Sequence, residues 1–339
     1  MDKVSLPKVE LPRERRDLID KIERVAVHAS DLDGIASAAL ILLMKPTVKI
    51  DFLTVAEAKN CRNSYDLVID LPKIGDAINI DHHKTNYDRL VAEARLSEID
   101  LVDPEAPSAA LLVAKYFGIL GNKHVKNIVN IATKSDLGKF DDKIYVIDKI
   151  IKCNSRDKEA LYRIAWAVAI HGKDFEKDEW LRSEIERIKK VFDECDRISR
   201  FVADILLRKH KAKAVVLHVE SSVPRICIGD VMHRYIESGG KIIVLINTMR
   251  EKDKYCPSLT QNMGQPYARI SIRSRDKNFD ARKFLEQFGG GGHKVAAGAR
   301  ISIDNLHEFF LFVFRELSNY SRYVVYFKIN KEALESMGQ

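Results

Sequence analysis

No apolar run in this chain approaches the ~20 residues a helix needs to cross a bilayer. The longest, Ile35–Met44, follows an acidic cluster and reads as a buried helix. Nor is there a C-x-x-C pair: Cys61, Cys153, Cys195, Cys227 and Cys256 are scattered. That spacing argues against a zinc ribbon or a disulfide framework and predicts buried free thiols in a reducing cytoplasm. The opening stretch, MDKVSLPKVELPRERRDL, lacks an apolar segment and a small-residue cleavage site, so secretion is not expected. Repeats and low-complexity tracts are absent as well. What remains is a cytoplasmic globular protein with no membrane partner.

Its 339 residues, 46% hydrophobic and 31% charged, favour two domains over one. The net charge of +7 is unevenly spread. Residues 251–300 hold ten Lys/Arg against five acids, an excess of +5. A basic stretch of this kind suits a phosphate-rich partner.

The first half alternates short β runs with helical segments, which predicts a mostly parallel sheet flanked by helices. Strands are expected at 24–30, 48–54, 66–70 and 77–81, with helices at 34–44, 108–118 and 124–136. Residues 178–210 form one long charged helical pattern without Gly or Pro, read as a linker helix. Beyond it, β and α patterns alternate again. The expected architecture is α/β with two domains: residues 1–177, the linker helix 178–210, and a smaller α/β domain at 211–339.

Polar clusters fall where these elements end. "HASDLDG" places His28, Asp31 and Asp33 after the first strand, and Gly34 opens a helix. In "DLVIDLP", Asp70 closes an apolar strand. "IDHHKTN" puts Asp81, His82 and His83 side by side at a strand end, where a turning backbone could make them converge. In "ATKSDLGKF", Asp136 ends a helix. Ligands of open parallel sheets bind beyond the carboxyl ends of the strands, so the strand-end clusters should lie together. Carboxylates packed that closely repel unless a cation joins them. An oxygen-rich set with a few imidazoles and no thiolate suits manganese, with magnesium or cobalt as substitutes. Some six ligands exceed the needs of one catalytic ion, whereas two ions sharing a carboxylate would use them all in displacement at phosphorus.

The second domain contributes "FGGGGHKVAAGARI" (288–301). Its consecutive glycines expose backbone N–H groups that could cradle an anion, with His293 immediately after. Upstream, "SIRSR" places Arg273 and Arg275 on one face of a predicted strand, where guanidinium groups could grip phosphate.

The motifs "DLDG", "VIDLP", "DHH", "SDLGKF", "ISIRS" and "GGGGHKVAAG" occur in the order found in the DHH phosphoesterases, and the chain resembles that family from about residue 24 to 301. The resemblance implies that His28, Asp31, Asp33, Asp70, His82 and Asp136 hold two manganese ions, with Asp70 bridging. It also implies that His83 faces the substrate phosphate and that Asp81 orients a neighbouring imidazole. Arg273, Arg275 and the loop of Gly290, Gly291, Gly292 and His293 would bind the nucleotide. The chain departs from the family at His28, which stands three residues before Asp31 rather than four or two. On a regular strand that offset turns it to the other face, unless the turn contains a bulge.

The activity so implied is a manganese-dependent exonuclease or phosphodiesterase that removes nucleotides from short single-stranded DNA or RNA by two-metal hydrolysis. The alternatives are a cyclic-dinucleotide or 3′-phosphoadenosine 5′-phosphate phosphatase, and a non-catalytic nucleic-acid scaffold with a decayed site. Six retained polar groups argue against decay. Polarity is open, and so is assembly, with a homo-oligomer compatible with the sequence.

Overall fold

The computed structural model describes residues 6–220, 223–248, 256 and 267–329. The chain divides into two compact units, Met1–Lys189 and Lys190–Gln339.

The first unit is built on strands β1 (Arg24–His28), β2 (Lys49–Leu53), β3 (Leu67–Ile69), β4 (Ile78–Asp81) and β5 (Leu101–Val102). They form one sheet in the order β2-β1-β3-β4-β5, and every pairing is parallel. Parallel strands need helical crossovers that cover the faces, so the strands read as unbroken apolar runs. The helices of this unit are α1 (Arg13–Lys21), α2 (Leu32–Met44), α3 (Val55–Lys59), α4 (Lys84–Ala92), α5 (Ala109–Tyr116), α6 (Lys123–Asp136), α7 (Asp142–Cys153) and α8 (Lys158–His171). Helix α2 is apolar on all sides and is buried from Leu32 to Leu43, packed among α5, α6 and α8. Truncating a fully buried leucine there, such as Leu40→Ala, should cost about 2–5 kcal/mol. The tight junction between β1 and α2 depends on Gly34: a Cβ at that position would lie 2.1 Å from the His28 carbonyl oxygen.

Helix α9 (Glu179–Asp204) is the long charged helix expected over 178–210, followed by a π-helical turn at Ile205–Lys209. The second unit has a mixed sheet of β6 (Ala214–Val219), β7 (Ile242–Asn247), β8 (Tyr267–Ser274), β9 (Gly291–His293), β10 (Ala296–Ser302) and β11 (Val324–Ile329). Its order is β11-β6-β7-β8-β10-β9, parallel across the first three strands and antiparallel across the rest. Among the described residues it also has α10 (Ile228–Glu237), α11 (Ala281–Glu286) and α12 (Leu306–Ser318). Its core joins Val216, Val244, Ile270 and Ile272 of the sheet to Phe284 and Leu285 of α11 and Phe309 and Val313 of α12.

The α/β class and the two-sheet plan agree with the sequence. The expectation of free thiols fails at Cys153, Cys195, Cys227 and Cys256, all of which are disulfide-bonded. Cys195 on α9 and Cys227, just before α10, form a disulfide with Cα atoms 4.8 Å apart, whereas Cys61 is free. Two cysteines 32 positions apart carry no pairing signal; the approach of α9 to the start of α10 makes the bond. Among the described residues no helix is long and apolar enough to cross a membrane. Residues 251–255 and 257–266 of the basic stretch lie outside the described set.

Candidate metal centre

The strand order β2-β1-β3-β4-β5 reverses direction between β1 and β3, and it is there that an open parallel sheet leaves a crevice beyond its carboxyl ends. His28 ends β1, and Asp31 caps α2 by accepting a hydrogen bond from the Gly34 N–H at 3.1 Å. Asp33 lies in the first turn of α2, Asp70 follows β3, Asp81 ends β4, and His82 and His83 lead into α4. Asp136 is the last residue of α6.

These side chains converge. His28 Nδ1 is 3.2 Å from Asp31 Oδ2 and 3.3 Å from Asp70 Oδ2. His82 Nε2 faces three carboxylates, at 3.5 Å from Asp70, 3.6 Å from Asp33 and 3.6 Å from Asp136. Its Nδ1 meets the Ala106 carbonyl at 3.3 Å, and donation there turns Nε2 toward the acids. The turn after β1 thus brings His28 into the cluster despite its three-residue offset from Asp31.

The acids are held rigidly. Asp33 accepts from the backbone N–H groups of Ala109 and Ala110, at 2.6 and 2.9 Å, at the start of α5. Asp70 adopts φ +57°, a left-handed conformation that costs a non-glycine residue energy and persists only where its surroundings impose it. Asn79 supplies part of that constraint by donating to the carbonyls of Val68 and Leu71 on either side of the Asp70 turn. Asp33 and Asp70 form a buried floor, while Asp31, Asp136 and His83 keep side-chain exposures of 32%, 32% and 39%, which leaves the site open to solvent on one side.

Asp81 Oδ1 accepts from His83 Nδ1 at 2.8 Å and from the His82 N–H at 2.8 Å. Its other oxygen accepts from Asn86 Nδ2 at 2.7 Å, and that amide also reaches Asn79 at 2.8 Å. Asn86 and Asn79 are buried positioning residues that the sequence reading missed. A signal was available, because Asn86 closes the same "IDHHKTN" stretch, one helical step after the histidines.

The electrostatics show what the cluster lacks. Burial alone would lower the His28 pKa, yet the Asp31 and Asp70 carboxylates outweigh it and raise the imidazole to about 10. His82 is likewise disfavoured by burial and raised to about 10 by Asp70 and Asp33; His83, also opposed by burial, rises to about 9 through Asp81 and Asp70. Burial and the neighbouring Asp70 charge push Asp33 well up, and burial with Asp31 and Asp70 lifts Asp136 to about 6. Asp70 is burdened by burial as well but is held below the usual carboxylate range by His28 and His82.

His28 Nδ1, Asp70 Oδ1 and His82 Nε2 are buried without a properly oriented hydrogen-bond partner. Three donor sets fit a divalent ion: His28, Asp31 and Asp70; Asp70, His82 and His83; and Asp33, His82 and Asp136. Asp70 and His82 each belong to two sets, so ions in neighbouring sets would share a ligand. Oxygen and imidazole donors of this kind suit manganese or magnesium.

In the second unit the expected anion-binding residues are placed differently from the sequence reading. Gly291–His293 form strand β9 in a hairpin with β10 rather than a free loop, and Gly292 sits at φ +136°, where a Cβ would meet the Ala296 carbonyl at 2.5 Å. Gly290 precedes that strand. Arg273 lies on β8 in register with Ala296, which in turn pairs with His293, so Arg273 and His293 share one row. Arg275 falls past the end of β8 and forms an ion pair with Glu237. Arg273 has no carboxylate partner among the described residues, and the protein packed around its base lowers its pKa by displacing water.

Residues 211–319 match the family described as the DHHA1 domain. In fold, the chain is similar to the pGpG-specific phosphodiesterase PggH of Vibrio cholerae, with a TM-score of 0.55 and 14% identity over 88% of this chain and 99% of that one. It is similar also to RecJ of Thermus thermophilus. The Mg2+ complex gives a TM-score of 0.52 at 16% identity and the Mn2+ complex 0.53 at 14%. The match covers 99% of this chain but only 57% and 60% of the RecJ chains. No curated protein matches the chain by sequence.

In this chain a parallel α/β unit with an Asp-His-His strand end is followed by a unit that matches the DHHA1 domain. Residues 211–319 thus carry a DHHA1 domain, and the chain as a whole shares its fold with PggH and RecJ.

Proposed function

We propose that this chain is a metal-dependent phosphodiesterase that removes nucleotides from short single-stranded DNA or RNA, with manganese as the preferred ion. The observation carrying this reading is the set of three donor groups joined through Asp70 and His82, in which buried nitrogen and oxygen atoms point at one another without hydrogen bonds. A pair of divalent ions held there would supply Lewis acidity for displacement at phosphorus.

The chain's own residues have distinct tasks in this reading. Asp70, fixed by its left-handed turn, holds the shared position. His82 presents Nε2 to the ions while Ala106 holds its other nitrogen. His83, the more exposed imidazole, has Nδ1 anchored by Asp81 and so offers Nε2 toward a substrate phosphate or leaving oxygen. Arg273, with no carboxylate partner, is suited to a phosphate away from the one being cleaved.

A second reading is favoured by the likeness to PggH: a phosphodiesterase confined to a linear dinucleotide. One assay separates the two. Purified protein is incubated with manganese and end-labelled DNA and RNA of graded length, with pGpG, a cyclic dinucleotide and pyrophosphate in parallel. Mononucleotide release from several lengths supports the proposal, and cleavage of the dinucleotide alone supports the second reading. No hydrolysis of any phosphodiester in manganese or magnesium would overturn both.

A further inference from the structure

Two segments of the first unit are laced together by polar contacts outside the donor sets. One is the turn from β3 to β4, which starts at Asp70; the other is the approach to β5, residues 93–100. Lys73 Nζ forms an ion pair with Asp100 Oδ2 at 2.6 Å, and the two side chains are only 5% and 0% exposed. Lys73 Nζ also donates to the Arg95 carbonyl at 3.3 Å, and the Arg95 guanidinium donates to the Gly75 carbonyl at 2.9 Å. Asp100 Oδ2 accepts from the Ser97 N–H and hydroxyl as well, both at 2.8 Å. Its Oδ1 accepts from the Asn79 N–H at 2.8 Å.

A buried ion pair is a poor device for stability, because apolar side chains of similar volume often stabilise a core as well or better. What it supplies is direction. From Lys73 and Asp100, hydrogen bonds lead to the metal centre by two routes. Asp100 fixes the backbone of Asn79, whose amide holds the Val68 and Leu71 carbonyls on either side of Asp70. Lys73 fixes Asn86: the Lys73 N–H donates to Asn86 Oδ1 at 3.4 Å, and the Arg89 guanidinium donates to the same oxygen at 3.1 Å. With Oδ1 so occupied, Nδ2 faces Asp81 Oδ2 and Asn79 Oδ1. Turned the other way, the amide would set its oxygen against the Asp81 carboxylate, two acceptors without a proton between them. Asp81 in turn anchors His83 Nδ1.

We infer that Lys73 and Asp100 are a positioning pair: by locking the Asn79 and Asn86 amides they set the orientation of His83 and the left-handed turn at Asp70. Neither belongs to a donor set, so they act through the two asparagines. The inference rests on the phosphodiesterase reading for what His83 does, but not for the bonds that orient it.

The test is a double-mutant cycle in the full chain. Lys73→Met/Asp100→Leu removes both charges together, so no buried charge is left alone, and it is combined with Asn86→Ala. In manganese the pair variant should lose kcat on a short oligonucleotide about 10- to 100-fold, with KM within about twofold of wild type. Placed on Asn86→Ala it should cost far less than it does in wild type, because both changes interrupt the same contacts. A second readout needs no turnover. In chelated, 15N-asparagine-labelled protein, the buried Asn86 side-chain amide, identified by its absence from Asn86→Ala, should resist hydrogen exchange in wild type. The pair variant should lose that protection while its Tm stays at or above the wild-type value. If the pair variant does not fold, Lys73→Met alone, which leaves Asp100 three other donors, is read the same way. Unchanged Asn86 protection, kcat within about twofold of wild type, or losses that simply multiply with Asn86→Ala would each overturn the inference. Failure of the phosphodiesterase reading looks different: a wild type without turnover, in which the Asn86 amide still depends on Lys73 and Asp100.

Discussion

The two units bring polar chemistry to their surfaces in opposite ways. In the first, a parallel sheet is clad by helices, so its strands are apolar along their length and functional groups emerge only where strands end. In the second, arginines and small residues alternate with core residues along the strands themselves. A strand-end site gathers acids from distant parts of the chain into one point and needs cations. A strand face spreads its cations over a length instead.

Several changes would break or sharpen this contrast. The largest effect should come from Asp70→Asn. Since Asp70 belongs to two donor sets, the variant should lose bound manganese by elemental analysis and fall to background turnover, while oligonucleotide binding in chelator persists. Retention of metal would remove Asp70 from its shared position.

Asn86→Ala should be next. It leaves Asp81 without its amide donor and frees His83 to turn, and outer partners of metal ligands typically change affinity or activity about 10- to 100-fold. Manganese titration with a turnover assay measures both. Activity within about twofold of wild type, far short of that range, would make the Asn79–Asn86 pair a matter of packing alone.

Arg273→Ala acts on the other unit. Loss of a charge-assisted contact of roughly 1.5–3 kcal/mol should lower kcat/KM on oligonucleotides about tenfold or more. Metal content should stay at the wild-type level, and hydrolysis of bis-p-nitrophenyl phosphate, which has no remote phosphate, should fall far less. An equal loss on both substrates would place Arg273 at the reacting phosphate.

The smallest effect is in pH. In chelator-treated protein, His28, His82 and His83 have pKa values of about 10, 10 and 9, above their ordinary value of 6.5. Groups raised on folding stabilise the native state fully below pH 6.5 and cease to do so as pH rises through 9 to 10. The Tm of the chelated protein should therefore decline over that window. Added manganese should release protons at about pH 8, read with an indicator dye in weak buffer, because imidazole must be neutral to bind a metal. Arg273 keeps its charge throughout. A chelated Tm that rises between about pH 7 and 9.5 would contradict the arrangement of the acids around the imidazoles.

Much of this was local and therefore legible. A carboxylate that ends an apolar strand, as Asp70 does, or the run Asp81–His82–His83 before a helix, is a polar group where the backbone must turn, and both features lie within a few letters. The alternation of β and α segments conveyed the parallel sheet for the same reason. The rest depended on contacts between distant residues. Asp33 is held by the amides of Ala109 and Ala110, some 76 positions away, and backbone N–H groups leave no mark in a sequence. Arg273 and Arg275 look equivalent in "SIRSR", but the strand ends between them and Glu237, on another helix, takes the second. The glycine run reads as a loop and becomes a strand because β10 offers it a ladder to pair with. Cys195 and Cys227 are bonded only because α9 passes the start of α10. The sequence determined which groups sit at the ends of elements, through turn and capping preferences that act over a few residues. Tertiary structure decided which of those groups meet, since that follows from the packing of whole elements.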